Sequence, residues 1–130
     1  MYLCDTNIIS ELARPRPNPG VVAWAEMVVS INLSIITVEE IFHGLAWKPH
    51  PRIRAWFEVF LDTHCTLLPV TVHIAKHGGQ LRGELQARGK VRTQADMLIA
   101  ATAHLHQLTL VTRNVSNFED CAIPLLNPFR

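Results

Sequence analysis

An α/β fold follows from two features of the sequence. Short apolar runs of strand length alternate with longer segments of helical spacing along the whole chain. Carboxylates recur at strand-to-helix junctions or in the first turn of a helix, at Asp5, Glu40 and Asp96. In a parallel sheet with right-handed crossovers such junctions gather on one edge, and open α/β sheets bind their ligands in the crevice along it.

Composition sets the frame. The 130 residues predict one domain, 1–130, long enough to bury a substantial core. With 48% hydrophobic and 18% charged residues the chain is expected to fold and not to be disordered. A net charge of +1 gives a weak overall field, so a nucleic-acid partner has to be held by a local basic patch. Cys4, Cys65 and Cys121 cannot all pair, and two of them lie in apolar strand-like runs, so reduced thiols and a cytoplasmic location are expected. No signal peptide opens the sequence and no apolar run reaches the ~18 residues of a membrane span.

In chain order, Tyr2, Leu3 and Cys4 predict a short buried strand ending at Asp5. Thr6 and Asn7 begin a helix that Ile8, Ile9 and Leu12 continue. Asp5 reads equally as a cap of that helix or as a functional carboxylate. Pro15, Pro17 and Pro19 then force an extended turn carrying Arg14 and Arg16, a solvated loop or a phosphate contact.

Val21 to Val29 reads as a helix and Leu33 to Ile36 as a second strand. The next helix is expected to open at Thr37 and to stop at Trp47, before Pro49. Thr37 and Glu40 have capping-box spacing, a sufficient structural reason for Glu40 taken alone. Arg52 to Leu61 forms a helix with Ile53, Trp56, Phe57 and Phe60 on one stripe; Cys65 to Val70 is a third strand; Thr71 starts a helix reaching Gly89.

His73 and His77 are four apart, a spacing that can place two imidazoles on one metal, but no third ligand stands at a recognisable distance, and an exposed histidine face is the better reading. Arg82, Arg88, Lys90 and Arg92 form a basic run, a solvated face or a phosphate contact.

The segment from Thr93 to Leu105 is apolar at nearly every position between Ala95 and Ala103, which predicts a helix buried most of the way round. A carboxylate at its mouth, Asp96, is costly unless something cationic compensates it, and the functional reading is preferred there. Leu108 to Thr112 is a fourth strand, followed by the polar loop Arg113 to Asn117; Ala122 to Leu126 can add a short fifth at an edge, because of Pro124. Three carboxylates on one sheet edge repel one another, and hard divalent cations such as Mg²⁺ or Mn²⁺ resolve that repulsion. A metal so held can activate water and stabilise a phosphodiester transition state.

The opening from Cys4 to Glu11, the run Thr37 to Ile41, the run Ala95 to Ala103 and Val111-Thr-Arg-Asn114 resemble PIN-domain ribonucleases, nearest the VapC or FitB-like toxins of bacterial toxin–antitoxin pairs. The resemblance implies a three-layer α/β/α fold around a parallel sheet of four to five strands. It also implies Mg²⁺- or Mn²⁺-dependent cleavage of RNA, a homodimer, a cognate antitoxin and no membrane association. The family's acids fall on Asp5, Glu40 and Asp96, Glu40 being preferred to Glu39 because the pattern sets the acid directly before the apolar residue, here Ile41. Asn114 or Asn117 stands where relatives often carry a fourth acid, and Asn114 joins the catalytic set in its place. An amide brings no charge, so one bound ion is expected. Thr6, Asn7, Arg14, Arg92 and Arg113 are the candidate RNA contacts. Two other readings are a non-catalytic PIN-like module that binds RNA or protein, and a flavodoxin-like small-molecule binder; the latter is weakened because no glycine-rich loop follows the first strand.

Overall fold

A computed structural model describes residues 1–130. Five strands, β1 (Tyr2–Cys4), β2 (Ile31–Ser34), β3 (Cys65–Leu68), β4 (Thr109–Val111) and β5 (Leu125–Leu126), form one sheet in the order β3-β2-β1-β4-β5. All pairings are parallel. β1 is central: the chain first builds outward from it through β2 to β3, then returns to its other side with β4. That reversal makes the β1–β4 boundary the topological switch point, where a crevice opens beyond the strand C-termini.

Six helices cover the sheet: α1 (Thr6–Leu12), α2 (Pro19–Met27), α3 (Ile35–Trp47), α4 (Pro51–His64), α5 (Val72–Ala87) and α6 (Gln94–Leu105). Side chains alternate across a strand, so neighbouring residues feed different cores. Leu3 and Leu110 pack with Leu85 of α5 and with Met97, Ile99, Ala100 and Ala103 of α6. Cys4 and Val111 pack on the other face with Ile8 and Ile9 of α1, Val21 and Trp24 of α2, and Phe57 and Phe60 of α4. Helices on both faces give the three layers the sequence led us to expect. α6 buries Met97 and Ile99 through Ala103, in keeping with its apolar circumference. The cysteines are free, and burial pushes Cys65 up to about 12 and Cys121 up to about 11, so both stay protonated thiols. No helix is long and apolar enough to cross a membrane.

Several boundaries differ from the sequence expectation, each for a local reason. The second strand is Ile31–Ser34, not Leu33 to Ile36, because the Ser34 hydroxyl accepts from the Ile36 amide at 3.0 Å and opens α3 there. Thr37 is therefore no cap but a fully buried residue inside the helix, and the expected capping box with Glu40 does not form. α2 starts at Pro19, one residue after its cap Asn18, the first helical turn being where a proline costs no hydrogen bond. β3 ends at Leu68, short of the expected Val70, and is an edge strand with two exposed residues.

Candidate active site

Asp5 directly follows β1 and is 5% exposed. It is both a helix cap and the centre of a network. One carboxylate oxygen accepts from the Thr6 amide at 2.8 Å. The other accepts from the Thr112 hydroxyl at 2.8 Å and the Asn7 side-chain amide at 3.2 Å. Thr112, beyond β4, also accepts from the Asn114 amide at 3.0 Å, and the Asn7 carbonyl oxygen accepts from the Arg113 amide at 3.1 Å. The ends of β1 and β4 are thus laced together across the switch point. Burial raises the Asp5 carboxyl above its ordinary value, and the bonds from Thr112, Thr6 and Asn7 work against that rise.

Glu40 lies in the second turn of α3, so the earlier helix start moves it out of the first turn without turning it from the site. Its Oε1 accepts from the Thr6 hydroxyl at 2.7 Å. Asp96 lies in the first turn of α6, and its amide donates to the cap Thr93 at 3.1 Å. Its carboxyl is pushed up to about 6, by burial first and then by the charges of Asp5 and Glu40, with Thr93 and Arg92 opposing. The electrostatic signature is three acids crowded with too little positive charge.

Asp5, Glu40 and Asp96 line one cavity of about 430 Å³. Thr6, Asn7, Arg14, Arg113 and Asn114, all singled out in the sequence, line it too. Arg92 and Asn117 do not. Arg92 donates to the Asn117 carbonyl at 3.1 Å, which fixes the loop beside the cavity, and of the two asparagines only Asn114 faces the acids. Glu39 and Arg16 do not line the cavity. His77 forms no metal site with His73 but stacks on His104, ring centroids 4.4 Å apart.

The sequence reading missed Ser10, Glu11 and Phe129, which also line the cavity. Glu11 is one helical turn beyond Asn7, an i, i+4 relation that could have flagged it. It is 8% exposed and occupied, accepting from Arg14 at 3.2 Å and from the Asn18 amide at 2.8 Å. Phe129 carries no such local signal.

The donor set is all oxygen, the chemistry of a hard divalent cation. No group of three acidic, histidine or cysteine side chains is drawn together as a ready-made cage. A hard ion held by few carboxylates completes its shell with water.

A family model for the PIN domain matches residues 2–123. The chain belongs to the PIN-domain family. VapC ribonuclease Y4jK of Sinorhizobium fredii is 35% identical over 137 aligned residues, covering 99% of this chain and 98% of that protein. Toxin FitB of Neisseria gonorrhoeae is 34% identical, covering 99% of both. A toxin–antitoxin complex from Klebsiella pneumoniae contains a chain that superposes with a TM-score of 0.78 at 30% identity, covering 100% of this PIN domain and 99% of that chain. Its α/β fold is that of this solved neighbour.

Proposed function

We propose that this PIN domain is a divalent-metal-dependent endoribonuclease and the toxin of a toxin–antitoxin pair, held inactive by a cognate antitoxin. The observation that carries the reading is the crowding of Asp5, Glu40 and Asp96 around one polar cavity, with the Asp96 carboxyl pushed up to about 6. Relatives named as a ribonuclease and a toxin, and a structural neighbour solved as a toxin–antitoxin complex, support the same reading.

Asp5, Glu40 and Asp96 would hold the ion, Mg²⁺ or Mn²⁺. When bound, it supplies a more acidic water and positive charge against the developing phosphorane. The chain's own side chains do the rest. Thr112, Asn7 and the Thr6 amide fix both oxygens of Asp5, and the one that accepts only from Thr6 keeps a further lone pair. The Thr6 hydroxyl orients Glu40. Asn114 offers the cavity a neutral amide where another acid would repel the RNA backbone. Arg113 and Arg14, at the cavity wall, are the cations a phosphate meets. The reading extends to a homodimer in the cytoplasm.

Incubation of purified protein with RNA tests this. Cleavage should require Mg²⁺ or Mn²⁺, stop with a chelator, and fall about 100-fold or more in Asp5→Asn. A second reading, a non-catalytic module that binds RNA or protein, draws on Asn114 in place of a fourth acid. RNA binding without cleavage at any divalent concentration would favour it.

A further inference from the structure

Phe129 is the single aromatic side chain on the cavity wall. Its ring packs partly against the core beneath α1, α2 and α4. Over the ring lies the Arg113 guanidinium, 4.6 Å from the centroid. Arg113 is exposed, and its charge is unclaimed: the ion pairs of the chain join Arg14 to Glu11, Arg54 to Glu58, and Arg88 and Lys90 to Asp120. Among cations on the wall, Arg14 is tied and Arg113 is free.

The segment that carries Phe129 is anchored far from its sequence neighbours. The Asn18 carbonyl oxygen accepts from the Arg130 amide at 3.1 Å, and its side-chain amide donates to the Arg130 carbonyl at 3.0 Å. Gly20 allows the approach, since a Cβ there would stand 2.1 Å from the Pro128 carbonyl oxygen. Asn127 adds a bond to the Phe129 amide at 3.1 Å. Arg113 is held from its own side by the bond between its amide and Asn7. Two separately anchored stretches therefore bring one guanidinium over one ring on the wall of the cavity that the acids line.

We propose that Phe129 and Arg113 form a nucleotide clamp. The guanidinium, held over the ring, stacks on a base of single-stranded RNA next to the scissile phosphate and draws in the backbone. Phe129 is a positioning residue that acts through Arg113. The inference rests on the ribonuclease reading and adds to it the substrate form, an unpaired and unstacked nucleotide. Single-strand recognition commonly stacks bases on aromatic rings or arginine planes. A guanidinium already held over a ring loses little freedom when a base arrives. The acids alone would repel a polyanion, so a free cation at their rim is what admits it.

The test uses non-cleavable 2′-O-methyl oligonucleotides of A, U or C, roughly eight nucleotides long, titrated by fluorescence anisotropy in chelator. A 2-aminopurine copy reports stacking by quenching. Phe129→Leu keeps apolar packing but removes the aromatic face, and Arg113→Ala removes an exposed side chain without touching the core. Each should weaken binding about tenfold and abolish the quench, with the A oligonucleotide losing most. Phe129→Tyr should bind as wild type, whereas Gly20→Ala should reproduce Phe129→Leu. With cleavable RNA and Mn²⁺, Phe129→Leu should raise KM and leave kcat nearly unchanged.

Wild-type affinity and quench in both Phe129→Leu and Arg113→Ala would overturn the clamp, and Arg113→Ala decides alone if Phe129→Leu fails to fold. Should Asp5→Asn still abolish cleavage in that case, the ribonuclease reading stands without the clamp. A wild type that binds none of the oligonucleotides and cleaves no RNA with Mn²⁺ takes down both.

Discussion

At the scale of single residues, the chemistry turns on a carboxylate whose environment opposes its charge. The Asp96 carboxyl titrates at about 6 in the folded chain against an ordinary 3.8. Between those values the folded chain keeps a proton that the unfolded chain releases, so stability is greatest below 3.8 and declines as pH rises through about 6. Asp96→Asn should therefore abolish cleavage yet raise the metal-free melting temperature by a few degrees at neutral pH. The gain is about 1 kcal/mol once solvent screening of a half-buried group is allowed for. At pH 4 wild type and variant should melt together; a lower midpoint for the variant at every pH would make Asp96 a structural residue. Asn114 and Asn117 separate in the same way. Only Asn114 lines the cavity, so Asn114→Asp should tighten Mn²⁺ binding about tenfold by calorimetry while Asn117→Asp leaves it unchanged. The acids were legible in sequence because each sits just after a strand or near a helix start, a local pattern. Phe129 was not, because its place depends on Asn18 and Gly20, more than a hundred residues earlier.

At the scale of elements, the sequence showed the order and type of the strands and helices better than their ends. Ser34 rather than Thr37 starts α3, since a serine with extended backbone directly after a strand caps as readily as threonine and comes first. Nothing in the run Leu33 to Thr37 distinguishes the two without knowing that Ile31 pairs with Cys65. Ser34→Ala should cost about 1 kcal/mol in urea unfolding through loss of that cap. Thr93→Ala should cost a similar amount at α6. If Thr37→Val matched Ser34→Ala because of a lost cap, the assigned start of α3 would be wrong. Burial patterns read more directly: Leu3 and Cys4 part to opposite faces because the side-chain period of a strand is two. Leu3→Ala should remove about 2–5 kcal/mol, a large share of a domain's stability.

At the scale of the whole molecule, a net charge of +1 gives only a weak field to draw in the proposed RNA. With Arg113, Arg14 and Arg92 as the nearby cations, the logarithm of RNA affinity against that of salt should have a slope of about −2. A slope steeper than about −4 would reveal a larger basic footprint than the cavity rim. The position of β1 has a consequence in time as well as in space. Tyr2 pairs with Thr109 and Asp5 is held by Thr112, contacts that close nearly the entire chain. Such closures pay their loop entropy late, and synthesis delivers residues at only about 5–20 per second. A chain still being made has the first acid but not the strand that locks it. The cavity that gathers the three acids can therefore close only after Thr112 has been made, long after Asp5.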